Sequence, residues 1–428
     1  MREMKDSGIS WIGLIPKGWN IYRNKNAFSC SKELVGKKFK ETQLLSLTTK
    51  GIKLKDINNP EGKLPESFDT YQYVKKDEIV MCLFDLDCSA VFSGRSPYDG
   101  MISPAYKVLT CTTKMVPAYA DYWFTYISYD RKFNHYAKNI RYTLNYEEFA
   151  SLPMLFPSVE EQHRIADYLD KKCAKIDAII EKQQEIIEKL KEYKISVITE
   201  TVTKGITTSA VLKKCEVPGV ETIPESWEVK KLKHFTEVIS KGTTPSTVGR
   251  DINDEGPVRF FKAENIQNNR VCKKPEFFID EETNDFLNRS QLTDRDILFV
   301  IAGATIGKTA IISDDCLPAN TNQAVSFIRI NDKRNRKYVW YSLQSLHMKT
   351  MLAVKATQAA QPNLAMEDLG NYPIFLPTKA EMERIIDYLD KKCDVIDETI
   401  ISKSRIIEKF QEYKQSLIYE AVTGKREV

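Results

Sequence analysis

The glycine-rich segment 303–309, GATIGKT, is the part of the chain most similar to a nucleotide-binding loop. A phosphate-binding P-loop has four residues between its glycines, so the first glycine would have to stand where this chain has Ala302. The shorter spacing here does not allow the loop to wrap a triphosphate in the usual way. What remains is a glycine-rich turn after a buried strand, which presents Thr305 and Lys308 to a DNA phosphate or groove.

Other catalytic constellations are missing from the sequence. The four histidines are scattered, with no HExxH spacing, and no GxSxG motif occurs. Glu228 and Lys230 have the ExK spacing of some nucleases, but no aspartate precedes them more closely than Asp177. The two motifs of amino-methyltransferases, an Asn/Asp-Pro-Pro-aromatic tetrad and FxGxG, are also absent. The chain is therefore predicted to bind a ligand without catalysing a reaction on it.

Composition sets the class of protein. The chain has 428 residues, 42% hydrophobic and 29% charged, which is typical of a soluble protein with two or three domains. We find no apolar run long enough to span a bilayer and no secretory signal, and the nine cysteines form no CxxC pair. These features predict a cytoplasmic protein with free thiols. The net charge of +4 is too small to indicate nucleic-acid binding by itself.

Polar clusters on predicted loops are the positive indication of a ligand. Asn and Gln pair with adenine, Arg and Lys pair with guanine, and Ser, Thr or Lys hold phosphates. Any one cluster is also what a surface turn needs, so the prediction depends on the whole set. The candidate DNA-binding residues are Thr48, Thr49, Lys50, Ser103, Arg131, Lys138, Arg141, Tyr142 and Asn145 in the first part of the chain, and Lys241, Thr243, Thr244, Arg250, Lys262, Asn265, Thr305, Lys308, Asn322, Gln323, Gln358, Gln361 and Asn363 in the second.

A long repeat must position these loops. Residues 157–204 align with 377–424 at a constant offset of 220, without a gap, and DYLDKKC occurs at both 167–173 and 387–393. Apolar residues at steps of three, four or seven predict two amphipathic helices with coiled-coil spacing, each beginning just after a proline. About 36–40 residues at ~1.5 Å each would give rods of about 55–60 Å. The residues predicted to pack the helices on each other are Ile165, Leu169, Cys173, Ile176, Ile180, Ile187, Leu190, Ile385, Leu389, Cys393, Ile396, Ile400, Ile407 and Phe410.

A fainter repeat precedes each helix. IPKGW at 15–19 matches IPESW at 223–227, but the bodies that follow barely resemble each other. Both mix short strands, such as 79–84 and 296–301, with a few helices, such as 117–135 and 336–352. The sequence therefore predicts an α+β protein with two unlike globular bodies, each followed by a copy of one long helix.

In these features the chain resembles the specificity subunit of a Type I restriction–modification system, over essentially its full length. The resemblance depends on the IPxxW heads, KGTTP at 241–245, ILFV at 297–300 before the glycine-rich turn, Asn322-Gln323, QPNL at 361–364 and EQHRIA at 161–166. The second helix departs from the pattern, because it opens EMERII at 381–386 without the usual Gln. The first body lacks the Gly-Thr-Pro and GxxxGK elements, and so resembles a different class of target-recognition domain.

The resemblance implies two target-recognition domains, at 1–156 and 205–376, and spacer helices at 157–204 and 377–428 that pack as an antiparallel coiled coil. Each domain would read one half of an asymmetric, bipartite sequence in double-stranded DNA. Two methyltransferase subunits with S-adenosylmethionine would dock on the chain, and restriction–translocase subunits using ATP and Mg would join them. The chain itself would be non-catalytic, with no cofactor or metal and no membrane partner.

Within this interpretation the residue types suggest roles. Asn322, Gln323, Gln358 and Asn363 would read bases, whereas Lys241, Arg250, Lys262 and Lys308 would hold phosphates. Two alternatives stay open from the sequence. One is a coiled-coil scaffold whose globular ends bind protein, and the other is a nuclease or ATPase that uses the 303–309 loop.

Overall fold

The computed structural model describes residues 2–30, 32–56, 67–86, 92–129, 131–136, 142–207, 209–356 and 363–428. The chain divides into two compact units. Unit 1 comprises Met1–Gln184 and Ser404–Val428, and unit 2 comprises Glu185–Lys403. Both divisions fall inside long helices, so each unit contains one globular body and a part of each long helix.

Unit 1 begins with short strands and ends in a long helix. Its elements are β1 (Met4–Asp6), β2 (Leu14–Pro16), β3 (Asn20–Arg23), β4 (Phe28–Cys30), β5 (Leu44–Thr48), β6 (Gly51–Lys55), β7 (Gln72–Val74), β8 (Ile79–Met81), β9 (Ser93–Arg95), β10 (Gly100–Ile102), β11 (Lys107–Cys111), α1 (Pro117–Tyr129), α2 (Tyr146–Ser151), β12 (Pro153–Phe156) and α3 (Val159–Lys204), with 3-10 turns at Asn24–Asn26, Gly36–Glu41 and Lys132–His135.

The core of unit 1 lies between its sheets and its helices. The larger sheets have the strand orders β6-β5-β10-β7 and β4-β11-β8-β9. Strand β8 is buried along its whole length, as expected for a continuous apolar run in the interior of a sheet. Trp123 and Phe124 of α1 are fully buried and share one apolar cluster with Leu169 and Leu417. The body is therefore closed by residues from both long helices.

Unit 2 has the same plan with different strands. After α3 its elements are β13 (Leu212–Lys214), β14 (Thr222–Pro224), β15 (Glu228–Lys231), β16 (Thr236–Lys241), β17 (Val258–Phe261), β18 (Ile266–Gln267), β19 (Arg270–Val271), β20 (Phe278–Ile279), α4 (Glu281–Phe286), β21 (Asp296–Val300), β22 (Thr309–Ile311), β23 (Ala319–Thr321), β24 (Val325–Ile330), α5 (Arg336–Ser342), α6 (Leu346–Ala356), α7 (Met366–Gly370), β25 (Pro373–Leu376) and α8 (Lys379–Val422), with 3-10 turns at Leu232–Phe235, Pro245–Val248, Ala263–Asn265, Asn288–Ser290, Asp314–Cys316 and Lys333–Asn335.

The main sheet of unit 2 has the strand order β16-β24-β21-β22, beside a smaller sheet β20-β17-β23. Every residue of β21 is buried, and the four residues after Asp296 are all apolar, as expected for a strand inside a sheet. Asp296 at its start is fully buried and accepts two hydrogen bonds of 2.9 Å from the guanidinium of Arg329. A paired, hydrogen-bonded carboxylate is the form in which a buried charge is tolerated.

The long helices contain 46 and 44 residues, or about 66–69 Å at ~1.5 Å per residue, which is more than the roughly 36–40 residues estimated from the apolar pattern. They begin at N-capping hydroxyls, because Ser158 Oγ and Thr378 Oγ1 each accept a 3.3 Å hydrogen bond from the amide three residues later. At its other end α3 continues to Lys204, and Ile198 and Val202 in its last turns are buried in the core of unit 2. The apolar face therefore continues to the end of the helix.

The IPxxW heads lock each body to its helix. The Trp19 indole in unit 1 donates a 3.0 Å hydrogen bond to Glu161, and the Trp227 indole in unit 2 donates one of the same length to Glu381. Both rings are buried. A buried indole N–H needs such a partner, so the carboxylate on the first turn of each helix fixes the angle at which the helix leaves the body.

The antiparallel pairing predicted for the helices is confirmed within each unit. In unit 1, Arg164 donates to the Val428 carbonyl and Lys414 to both carboxylate oxygens of Asp177, so residue numbers rise on one helix as they fall along the other segment. In unit 2, Lys194 binds both carboxylate oxygens of Asp397 at 2.7 Å. The two ion pairs are copies of each other at the repeat offset of 220.

The predicted helix-packing residues are not buried equally. Towards the start of each helix they also contact the globular body, whereas nearer the middle the body covers them less. The buried members are Ile165, Leu169, Cys173, Ile176, Ile187, Ile385, Leu389, Cys393 and Ile396, and the partly buried members are Ile180, Leu190, Ile400, Ile407 and Phe410.

Candidate nucleic-acid interface

Strand topology brings several loops to one edge of unit 2. Strand β16 ends opposite the start of β24, and β21 ends opposite the start of β22. Strands β17 and β23 run parallel, so their last residues, Phe261 and Thr321, lie at the same edge. The Asn322 amide donates to the Phe261 carbonyl at 3.3 Å and joins the two loops. Residues far apart in sequence therefore meet at this edge.

We call this edge the unit 2 rim and define it as residues 241–244, 262, 302–308, 322–323 and 363. Asn363 belongs to it because it pairs with Ala302 in an isolated β-bridge, and the next amide, that of Leu364, donates to Ile301 at 2.9 Å. Gly242 connects the first loop to the others, since it lies directly against the backbone of Thr321.

Most of the residues predicted to contact DNA in unit 2 lie on this rim. Gln323 and Asn363 are exposed amides, and Asn322 keeps its oxygen on the Ala324 amide at 3.2 Å. The Lys262 ammonium lies 3.4 Å from the centroid of the Phe277 ring, which holds it by a cation–π contact. The other rim members are the exposed Lys241 and Lys308 and the partly buried Thr243, Thr244 and Thr305.

The 303–309 segment is a tight turn between strands. The Val300 amide donates to Lys308 and the Gly307 amide donates to Val300, both at 2.8 Å, and the chain then enters β22. A P-loop instead leads into the N-terminus of a helix, whose amides contribute to binding phosphate. This geometry disfavours the nucleotide-hydrolysing alternative.

Two of the residues predicted to contact DNA in unit 2 have partners within the chain. Asn265 is only 1% exposed, and it accepts from the Lys262 amide and donates to the carbonyls of Cys272 and Pro275, so it braces a loop and does not reach a ligand. Arg250 is held by Glu282 at 2.9 Å and stacks on Phe286. The sequence pattern identifies polar residues near a loop, but it does not reveal which of their side chains are held by contacts within the chain.

Replacing Asn265 by alanine is expected to destabilise unit 2 by about 1–3 kcal/mol, because it leaves buried backbone groups without partners. Base preference should not change. Chemical denaturation and DNA binding of the full chain measure the two effects, with the exposed Gln267→Ala as the control. A change in base preference without loss of stability would contradict the bracing role.

In unit 1 the structure brings together two of the predicted residues. Thr49, on the β5–β6 turn, and Arg131, with the left-handed φ of 49°, line one cavity of about 530 Å³. Arg95 and Lys414 also line it, and neither was predicted. The buried carboxyl of Asp121 accepts the Arg95 amide at 2.9 Å, and burial raises its pKa. Arg95 opposes this shift, because its amide hydrogen bond and its positive charge both favour the charged carboxylate.

The remaining predicted residues of unit 1 have other surroundings. The Thr48 hydroxyl closes the β5–β6 turn on the Gly51 carbonyl at 2.8 Å, with Lys50 exposed beside it. Asn145 caps α2 in a reciprocal capping box with Glu148, so its predicted DNA contact is replaced by a structural one. Ser103 accepts the Ala105 amide at 3.4 Å, and Tyr142 is an exposed ring with a φ of 44°. The predicted contacts Lys138, Arg141, Gln358 and Gln361 lie outside the described residues.

The metal-ligating and thiol side chains of the described residues have two further properties. No group of three or more His, Cys, Asp or Glu side chains there has a metal-binding arrangement. Burial raises the pKa of the Cys173 and Cys393 thiols, that of Cys393 to about 11, which disfavours the nucleophilic thiolate. None of the helices described combines the length and apolarity that a bilayer span requires.

Comparison with known proteins gives consistent likenesses. Residues 224–409 match the model of the Type I restriction modification DNA specificity domain. The chain is 27% identical over 284 residues to the specificity subunit of the type I restriction enzyme MjaVIII of Methanocaldococcus jannaschii, which covers 65% of this chain and 63% of that protein. It is 25% identical over 280 residues to the EcoBI specificity subunit of Escherichia coli, which covers 63% and 57%. The chain thus spans about three fifths of the length of these relatives.

The fold has a known counterpart. One solved chain comes from work on the structural basis of complex assembly and conformational transition of the type I R-M system. It matches this chain with a TM-score of 0.68 and 15% identity, over 96% of this chain and 99% of that one. At this identity the likeness concerns the fold alone. The chain is thus similar to type I restriction–modification specificity subunits, both in its matched domain and in the curated relatives.

Proposed function

We propose that this chain is the DNA-recognition subunit of a type I restriction–modification complex and reads an asymmetric, bipartite sequence. The observation that carries the proposal is the unit 2 rim. Exposed amide and cationic side chains from five separate loop segments meet there, and Gly242 allows two of these segments to lie in close backbone contact. Amides read base edges and cations hold phosphates, so the rim has both parts of a sequence-reading surface.

The two bodies would act as target-recognition domains, at 1–156 and 205–376. Because their loops differ in sequence and in side-chain chemistry, the two half-sites should differ as well. The repeated helices support a shared framework, since both units use the same Trp–Glu lock and the same Lys–Asp pair. A common frame with unlike loops favours an interrupted, non-palindromic site.

Partner subunits would carry out the methylation and restriction reactions. We propose that two methyltransferase subunits carrying S-adenosylmethionine dock on this chain in the cytoplasm, and that ATP- and Mg-dependent restriction subunits join them. The chain would contribute recognition and no catalytic step. This part of the proposal is based on the similarity to type I specificity subunits and not on a site in the chain.

Replacing Gln323 or Asn363 by alanine is expected to relax preference at one base position each, by about 1–3 kcal/mol, because each change removes one amide contact to a base edge. Methylation of a library of single-base target variants by the full system measures this. Asn288→Ala, an exposed asparagine of unit 2 outside the rim, is the matched control.

If methylation of every variant stayed the same in both mutants, the assignment of these readers would fail. Mapping of methylated adenines across the genome of cells that carry the system tests the wider proposal. Two unlike half-sites separated by unread bases are expected. A palindrome, or a continuous target, would contradict it.

A further inference from the structure

Each unit has a cavity that the long helices help to line. In unit 2 a cavity of about 470 Å³ is lined by residues 268–270, 306–308 and 343–352 and by both long helices. In unit 1 the cavity of about 530 Å³ described above is lined by the β5–β6 turn, β9, α1, Arg131 and Lys414. Both volumes fall within the usual range for ligand sites, about 300–1,000 Å³.

The two cavities occupy equivalent places in the repeat. Lys194 lines one and Lys414 the other, and these residues differ by the helix offset of 220. The shorter helices correspond at an offset of 219, because the hydroxyls of Tyr119 and Tyr338 donate to equivalent carbonyls at Leu155 and Phe375. At that offset further lining residues also correspond, namely Thr125 with Gln344 and Tyr129 with Met348.

Both cavities are lined by cations, but their uncharged lining residues differ. These residues are mostly apolar in unit 2, whereas many of them carry hydroxyl groups in unit 1. The apolar residues in unit 2 are Ile195, Ile198, Ile306, Leu343, Met348, Leu352, Ile400 and Ile401, and the hydroxyl residues in unit 1 are Thr49, Ser93, Thr125, Ser128 and Tyr129. A protein segment that docked on both copies would meet opposite chemistry, but a ligand held by charge would not.

The repeated lysines are already neutralised by Asp397 and Asp177, so other cations must supply the charge. In unit 2 these are Lys308, Lys349 and Arg270. The last lies 3.9 Å from Asp394, at the limit of an ion pair. Burial lowers the pKa of Lys349, so an anion beside it would offset the cost of its partial desolvation.

In unit 1 the cations are Arg95 and Arg131, and the carboxyl of Asp121, whose pKa is raised by burial, lines the same cavity. Arg95 lies 3.6 Å from Asp77, which does not line the cavity. Arg131 is exposed and held in the left-handed region at the start of a 3-10 turn. Each cavity also includes residues predicted to contact DNA, Thr49 and Arg131 in unit 1 and Lys308 in unit 2. The cavities therefore adjoin the reading loops of their own units.

We infer that each cavity holds a phosphate of the DNA backbone, bound by Lys308, Lys349 and Arg270 in unit 2 and by Arg95 and Arg131 in unit 1. The inference rests on the proposed function and extends it. Two half-sites of different sequence share only the sugar–phosphate backbone, and the two cavities share only their cations and the repeated frame. A backbone contact at equivalent positions would set the register of each body on the duplex before bases are read.

The test uses the full chain, the duplex identified by methylation mapping and an unrelated duplex, with binding measured from about 50 to 200 mM salt. Lys349→Gln and Arg95→Gln are each expected to weaken binding of both duplexes by the same factor. Each should also reduce the slope of log affinity against log salt by about one, because one fewer counterion is released. Lys349→Arg and Arg95→Lys keep the charge and should restore the slope. Lys391→Gln, an exposed lysine on α8 outside the cavity, is the control.

The outcomes separate this inference from the proposed function. A folded chain that binds the target with base preference, and whose slope is unchanged in both Gln variants, overturns the cavity assignment alone. Loss of affinity at one base position only would also overturn it, since that identifies a base reader. A chain that binds no duplex overturns the proposed function as well.

Discussion

Adding one helical turn to both long helices is expected to lengthen the unread gap between the half-sites by about one to two base pairs, while both half-sites are still recognised. Four residues inserted between Gln184 and Glu185, and four between Lys403 and Ser404, fall at the boundaries of the units. They add about 6 Å at ~1.5 Å per residue, against a base-pair rise of ~3.4 Å. Mapping of methylated adenines in cells with the altered subunit measures the new gap.

The insertions should leave each unit intact, because every Lys–Asp and Trp–Glu contact described above joins residues of the same unit. Inserting the same four residues between the exposed Asp254 and Glu255 is the control, and it should leave the gap unchanged. An unaltered gap after the double helix insertion would rule out the helices as the element that sets the spacing.

Gly242→Ala is expected to abolish sequence preference at the half-site read by unit 2. A Cβ at this position would lie 1.8 Å from the Thr321 carbonyl oxygen, closer than any real contact, so residues 241–244 and 321–323 must separate. Two or more base contacts of about 1–3 kcal/mol each would be lost together. Methylation of target variants should therefore show no preference at that half-site, while preference at the other half-site persists.

Gly370→Ala provides a matched control, since its Cβ would meet no atom closer than 3.6 Å. Circular dichroism of both variants separates local displacement from unfolding. If Gly242→Ala kept its preference at both half-sites, the rim would not be the reading surface of unit 2.

The helices were predictable because periodicity is local information. The offset of 220 and the apolar steps predict two long amphipathic helices with no knowledge of the bodies, and the resemblance implies that they pack antiparallel. Their full length was not predictable from the coiled-coil stripe, because Ile198 and Val202, near the end of α3, are buried in the core of unit 2. Strands such as β21 were also visible as buried apolar runs.

The candidate site was only partly predictable, because tertiary contacts decide what a polar side chain is free to do. Asn265 and Gln323 look alike in sequence, yet one braces a loop from inside and the other lies exposed on the rim. Lys349 and Arg95 belong to no motif and enter a cavity only because α6 and β9 place them there. Charge alone, in a chain with 63 basic residues, does not single them out.

The make-up of unit 1 has a consequence for the order of folding during synthesis. The Tyr119 hydroxyl reaches the Val422 carbonyl, and Leu417, Ile418, Ala421 and Val422 complete a core that begins at Ile12. A ribosome releases these residues only after making all of unit 2. The first body to be translated is therefore the last to close, and until then its unfinished core is exposed to chaperones and proteases.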